Sequence, residues 1–198
     1  EDGKPVKMPD RYYSSDIMVD RLKGYIDERP AGSQPFYAYL AFQAVHIPVQ
    51  APKAYSDRYK GRFDAGWEKL REARAAGARA LGLMPAAPAI RDLPDDARRW
   101  DQLTAKEKAI YARSMEVYSG MLEAMDAAIG RLMAHLEARG ELDNTLFVVT
   151  SDNGPEPSDP VHVPGMSLWM KLNGYRWTLK GLGEKGSLAY VGKEWASA

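Results

Sequence analysis

Three residues in this chain stand where side chains can do chemistry: His46, Asp152 and Asn153. Asp152 and Asn153 are neighbours in Thr150-Ser-Asp-Asn-Gly154, and each offers a hard oxygen, the ligand type that Ca²⁺ or Mg²⁺ prefers. His46 lies in Gln43-Ala-Val-His46-Ile-Pro48, just past an apolar run, as Asp152 does later. By composition alone Asp-Asn-Gly-Pro is first of all a turn, and a histidine at a strand end is first of all a structural hydrogen-bonding group. The other candidates carry less. Ser151 has no base beside it, which makes a serine-hydrolase reading poor. His135 follows Leu132 near the end of a long helical pattern and reads as a structural group favoured by the helix dipole. His162, in a proline-rich loop close in sequence to Asp152, could line the pocket or face water, with water favoured, and Lys180, Lys185 and Lys193 read as solvated charges. With no cysteine the chain has no thiolate metal site, no disulfide and no cysteine nucleophile.

The elements that must position these residues can be read from pattern. Thr145-Leu-Phe-Val-Val-Thr150 is rich in β-branched and aromatic residues and continuously apolar, the composition of a strand buried on both faces. Pro35-Phe-Tyr-Ala-Tyr-Leu-Ala-Phe42 has the length and composition of a second buried strand. Ligands of open α/β sheets sit beyond the carboxyl ends of strands, where His46 and Asp152 both fall. Met18, Leu22, Tyr25 and Ile26 predict a helix over about 16–28, with Ser14, Ser15 or Asp16 as its cap. Residues 53–59 and 64–80 look helical, and 81–95 reads as loop.

Thr104-Ala-Lys-Glu107 matches a capping box. From it Ile110, Ser114, Val117, Met121, Met125, Ile129, Leu132 and Leu136 mark one helix to about Arg139, closed by Gly140. The methionines of that helix read as core filler. Helix feeding strand, after an earlier strand and helix, is a βαβ rhythm and predicts an α/β fold with a largely parallel sheet. Residues 155–198 are rich in proline, glycine and aromatics, with little periodicity, and read as a loop-rich tail.

The 198 residues suffice for one domain with a sizeable core. Lys+Arg and Asp+Glu balance at 27 each, so charge gives no reason to expect nucleic acid or an anionic membrane as partner. No apolar run approaches the roughly 20 residues that cross a bilayer. The chain begins at Glu1 without a signal-peptide pattern and reads as a processed or partial product. Its compartment stays open, periplasm and secretion included.

Four ordered segments resemble the type I sulfatases of the alkaline-phosphatase-like superfamily. They are Tyr13-Ser-Ser-Asp16 through Ile26-Asp27; residues 35–48 with Gln50-Ala-Pro52; Tyr118 through Asp126 with Ile129-Gly130; and Asp143-Asn-Thr-Leu with Thr150-Ser-Asp-Asn-Gly154. Gly183 through Trp195-Ala is similar to the arylsulfatase branch. The resemblance implies an α/β/α sandwich with a largely parallel sheet, incomplete at both ends here, with its core over 13–154 of a partial catalytic domain spanning 1–198. It implies a sulfuric ester hydrolase acting on sulfate monoesters of small molecules or glycans around a divalent cation, Ca²⁺ rather than Mg²⁺. On that pattern Asp152 and Asn153 are metal ligands and His46 touches the sulfate or its leaving oxygen.

The family's aspartate pair and its Cys/Ser-x-Pro-Ser-Arg segment, source of the formylglycine nucleophile, are absent from this sequence, as is the lysine expected after Trp195-Ala. The chain therefore reads as an internal piece, inactive alone. Two alternatives stand beside this reading: a phosphate or phosphonate ester hydrolase of the same superfamily, and a non-catalytic homologue acting as a binding domain. Phosphate-ester relatives commonly carry histidine at the place of Asn153, so asparagine favours sulfate.

Overall fold

The computed structural model describes residues 3–30, 33–85 and 92–198. Part of the loop expected at 81–95, residues 86–91, and part of the loop after Arg29, residues 31–32, lie outside the described residues. Six α-helices occur among them: α1 Ser14–Asp27, α2 Lys53–Ser56, α3 Gly66–Ala80, α4 Ala105–Ala138, α5 Met166–Leu172 and α6 Gly192–Ala196. The chain divides into two compact units, residues 1–45 with 122–149, and residues 46–121 with 150–198.

In the first unit, α1 packs on the carboxyl-terminal part of α4. Val19 and Ile26 meet Ala128, Leu132 and Leu136, the i, i+4, i+8 stripe of α4. Charge flanks this seam: Arg131 reaches Asp16 at 2.8 Å and Asp20 at 3.4 Å, and Arg139 reaches Asp27 at 2.9 Å. The expected cap at the start of α1 is corrected. The helix already begins at Ser14, with Tyr13 at the N-cap position and no side-chain capping hydrogen bond there. Asp16 is spent on Arg131, and Ser15 is buried with its hydroxyl unpartnered. At the carboxyl end of α4, Glu141 N–H bonds Leu136 O and Gly140 N–H bonds Glu137 O, both at 2.9 Å. Gly140 takes φ 69°, so this is the Schellman closure that glycine permits.

The two segments expected as buried strands run along this helical face without forming a ladder. Among the described residues no β-strand is present, only two isolated bridges elsewhere. Phe36, Leu40, Phe42 and Phe147 pack against the α1–α4 core. Their alternates point to water: Tyr37 is 90% exposed and Leu146 88%. Burial alternates over 39–42 and 145–148, the pattern of a strand with one face covered, while Ala38 and Val149 on the same register are exposed. Pairing is what is missing, since a strand is stabilised by neighbours remote in sequence, which local composition does not reveal.

The second unit is organised around aromatic rings. Trp67 is fully buried among Trp100, Trp195 and Tyr111, with ring centroids 4.8, 5.5 and 5.8 Å away, all edge-on. Both buried indoles are satisfied: Trp67 Nε1 donates to Arg98 O at 3.1 Å, and Trp195 Nε1 to Tyr111 O at 3.2 Å. The capping box holds α4 at its start, with Thr104 N–H 2.9 Å from Glu107 Oε2 and Glu107 N–H 3.3 Å from Thr104 Oγ1. Residues 155–198 are short of regular structure, yet Leu182, Leu188, Ala189, Tyr190, Val191 and Trp195 from that stretch are buried. Gly183 shows how close this stretch comes to α4. At φ 94° it has no side chain, and a Cβ there would sit 2.6 Å from Val117 Cγ2.

Candidate active site

His46, Asp152 and Asn153 all lie in the second unit. The chain just after His46 is well anchored. Val49 N–H donates to Ala189 O at 2.9 Å, Ala51 N–H to Gly183 O at 3.1 Å, and Gln50 Nε2 to Ser187 O at 3.1 Å. Val49 is buried and Ile47 packs on the aromatic core, so the 183–189 segment acts as a strap for the histidine loop. His46 itself is exposed, with Nδ1 2.6 Å from Ile47 O. A bond to that carbonyl occupies Nδ1, which donates to it, and Nε2 has no hydrogen-bond partner among the described residues.

Asp152 and Asn153 sit in an exposed turn. Ser151 Oγ donates to Asn153 O at 2.6 Å, and Asn153 Nδ2 donates to Gly154 O at 2.7 Å. The turn thereby spends the serine hydroxyl and the amide nitrogen, leaving Asn153 Oδ1 and the Asp152 carboxylate uncommitted. Two adjacent oxygen donors fit a hard divalent cation in kind. They do not fit one in number, since Ca²⁺ takes roughly 6–8 oxygens. Among the described residues no group of three His, Asp or Glu side chains converges to hold a metal, and no hydrogen bond joins His46 to Asp152 or Asn153.

His135 is half of a structural contact, its Nε2 3.0 Å from Asp27 Oδ1 but not aligned as a hydrogen bond. His162 is exposed, as expected, and also has a partner that the sequence reading did not name. It is half exposed, yet its Nδ1 lies 2.7 and 2.8 Å from the two oxygens of Asp159. Behind Asp159 stands a polar chain. Tyr190 is buried, its phenol pushed far above the ordinary range first by burial, then by Tyr111 and the Asp159 carboxylate. Burial also raises Tyr111, whose hydroxyl lies 3.3 Å from that of Tyr190 and accepts from Arg98 Nη2. Arg98 also reaches Glu107 at 3.3 Å and the buried Glu194 at 3.6 Å. The signal available for the dyad was the Asp-x-x-His spacing, which proline-rich surroundings obscured.

A sulfatase family model matches residues 2–187. The chain belongs to the sulfatase family. It is 39% identical over 190 residues to an uncharacterized sulfatase of Schizosaccharomyces pombe, covering 94% of this chain and 34% of that protein. It is 34% identical over 197 residues to an arylsulfatase of Klebsiella aerogenes, covering 99% of this chain and 41% of the relative. A multifunctional alkaline phosphatase superfamily protein of Trinickia caryophylli is 24% identical over 163 residues, covering 79% of this chain and 30% of its own. This sulfatase-family chain thus spans between a third and two-fifths of the length of the two more similar relatives. No helix among the described residues is long and apolar enough to cross a membrane.

Proposed function

We propose that this chain is part of a sulfuric ester hydrolase of arylsulfatase type, acting on sulfate monoesters at a divalent-metal site. The observation that carries the reading is the 34% identity to an arylsulfatase across 99% of the chain, a span that includes His46, Asp152 and Asn153. The free carboxylate of Asp152 and the free carbonyl oxygen of Asn153 support it, as the hard donors a Ca²⁺ ion takes. A bound cation would supply electrostatic stabilisation of charge developing on the sulfuryl oxygens. Asp152 and Asn153 hold two of its coordination positions, and the rest come from residues outside this chain. His46 Nε2, left free by the Nδ1 contact, meets the sulfate or its leaving oxygen. The nucleophile, a formylglycine in this reading, also lies elsewhere, so residues 1–198 alone do not turn over.

In the complete α/β/α sandwich, 35–42 and 145–150 are neighbouring strands of the parallel sheet. Their exposed faces, carrying Tyr37, Tyr39, Leu146 and Val148, are covered there. The test is turnover of 4-nitrophenyl sulfate by the full-length protein and its His46→Ala variant. Loss of about 10²-fold or more is expected for removing a general acid; unchanged kcat overturns the role of His46. A second reading, phosphate or phosphonate ester hydrolysis, is favoured by the 24% identity to the alkaline phosphatase superfamily protein. Faster turnover of 4-nitrophenyl phosphate than of the sulfate would select it.

A further inference from the structure

The turn that carries Asp152 and Asn153 has a second kind of reactivity, in its backbone. Asn153 is followed by glycine, and an amide nitrogen with no Cβ beside it is the least hindered nucleophile a chain offers to a neighbouring carboxamide. Three asparagines occur in the chain, Asn144, Asn153 and Asn173, and the structure treats the nitrogen after each of them differently. After Asn144, Thr145 N–H donates to Leu142 O at 3.0 Å, and the branched threonine side chain crowds that nitrogen. Asn173 precedes a glycine, as Asn153 does. There, however, Gly174 N–H donates to Lys171 O at 3.3 Å, Asn173 Nδ2 donates to Trp169 O at 2.9 Å, and Asn173 closes α5 at ψ 10°. The nitrogen and the carboxamide are both held back on the helix. At Asn153 neither restraint exists. Gly154 N–H has no hydrogen-bond partner among the described residues, and the carboxamide is folded forward over the next peptide, its Nδ2 2.7 Å from Gly154 O. The turn is exposed, so water reaches it.

We propose that Asn153-Gly154 is a site of spontaneous modification, at which Asn153 is converted to aspartate and isoaspartate through a cyclic imide. The Gly154 nitrogen, deprotonated in mild alkali, attacks Asn153 Cγ and forms an N–Cγ bond. The Cγ–Nδ2 bond breaks, and the proton shed by Gly154 N–H returns on Nδ2, which leaves as ammonia. Water then opens the ring. Addition at Cγ restores the original backbone and yields aspartate; addition at the Asn153 carbonyl carbon routes the chain through the side chain and yields isoaspartate. Nothing is oxidised or reduced, and the only co-reactant is solvent. The product places a second negative charge beside Asp152 in place of the neutral Asn153 carboxamide. In the isoaspartate form Asn153 O, which accepts from Ser151 Oγ at 2.6 Å, changes from a peptide carbonyl to a carboxylate oxygen. The modification goes beyond the sulfatase reading and does not rest on it.

The experiment incubates the full-length protein in mildly alkaline buffer with a chelator, so that no cation holds the carboxamide, and near-UV circular dichroism checks that it stays folded. Peptide mass spectrometry then follows the change of amide to acid, and isoaspartate, at each asparagine. Conversion at Asn153 is expected to be at least about tenfold faster than at Asn173, where two hydrogen bonds must first break. Conversion at Asn144 should be the slowest. In urea, where no fold restrains Asn173, the two Asn-Gly sites should convert at similar rates. Gly154→Ala should suppress conversion at Asn153 by crowding the nucleophile. The added Cβ meets no atom within 4 Å and Gly154 is not in the left-handed region, so the variant is accommodated. An unconverted Asn153, or one converting no faster than Asn173 in the folded protein, overturns the site. So does a Gly154→Ala protein that converts as fast as the wild type. With Ca²⁺ in place of the chelator, slower conversion supports Asn153 as a metal ligand; unchanged conversion counts against that ligand alone and leaves the modification site standing.

Discussion

Gly183→Ala is the sharpest perturbation of the scaffold that carries His46. Gly183 sits at φ 94°, where an L side chain is strained by roughly 1–2 kcal/mol. The added Cβ would also lie 2.6 and 2.8 Å from the two methyls of Val117, which is fully buried on α4. Overpacking of that kind costs about 1–3 kcal/mol, so the total is roughly 2–5 kcal/mol. For a domain of this size that lowers Tm by roughly 4–20 °C. The two contributions separate in a double-mutant cycle. Val117→Ala removes both clashing methyls, so it should relieve the packing part of the Gly183→Ala cost and leave the backbone part. A coupling of about 1–3 kcal/mol in the stabilising direction is therefore expected from urea unfolding of the four proteins. Because Gly183 O accepts from Ala51 N–H, the single variant should also loosen the histidine loop and speed amide exchange at Val49 and Ala51. Additive costs, or a Gly183→Ala protein as stable as the wild type, would refute the close approach of this strap to α4.

Other substitutions probe the remaining supports. Trp67→Ala should cost about 3–5 kcal/mol, measured by chemical denaturation, because it empties the centre of the aromatic core and orphans Arg98 O. Glu107 is held below its ordinary 4.5 by hydrogen bonds from the Thr104 hydroxyl and backbone N–H. Its folded value being the lower one, its contribution is full above the unfolded value and is lost as pH falls through the folded one. Glu107→Gln should therefore be about 1 kcal/mol less stable near neutrality, with the gap closing in acid; a gap that is constant with pH would contradict the capping box. Arg131→Met should cost no more than about 1 kcal/mol, and less in high salt, because the guanidinium and its partners Asp16 and Asp20 are all more than a third exposed.

What could be read from the sequence was local. The capping box at Thr104–Glu107 and the glycine closure at Gly140 are written within a few residues, and the structure holds them as read. The apolar stripe of α4 holds at Ile110, Val117, Met121, Leu132 and Leu136 but shifts to Ala124 and Ala128 in place of Met125 and Ile129. The cap of α1 failed because Asp16 has a stronger partner in Arg131, 115 residues away. Composition marked 35–42 and 145–150 as strands, and they do show alternating burial, but ladders need partners that pattern does not locate. The tail concealed its share of the core because Leu188 and Tyr190 lie in irregular chain beside isolated bridge residues and Trp195 on a five-residue helix, with no period to detect. Asp152 and Asn153 were legible as a pair of oxygens, and the structure keeps those oxygens free. The His162 dyad required knowing which way a proline-rich loop folds.

The most direct test of the central claim is the metal content and turnover of the full-length protein before and after Asp152→Ala, by elemental analysis and 4-nitrophenyl sulfate hydrolysis. About one divalent cation per active site is expected, largely lost in the variant, with turnover down at least about 10²-fold. An Asp152→Ala protein that keeps its metal and its sulfate-ester turnover would contradict it.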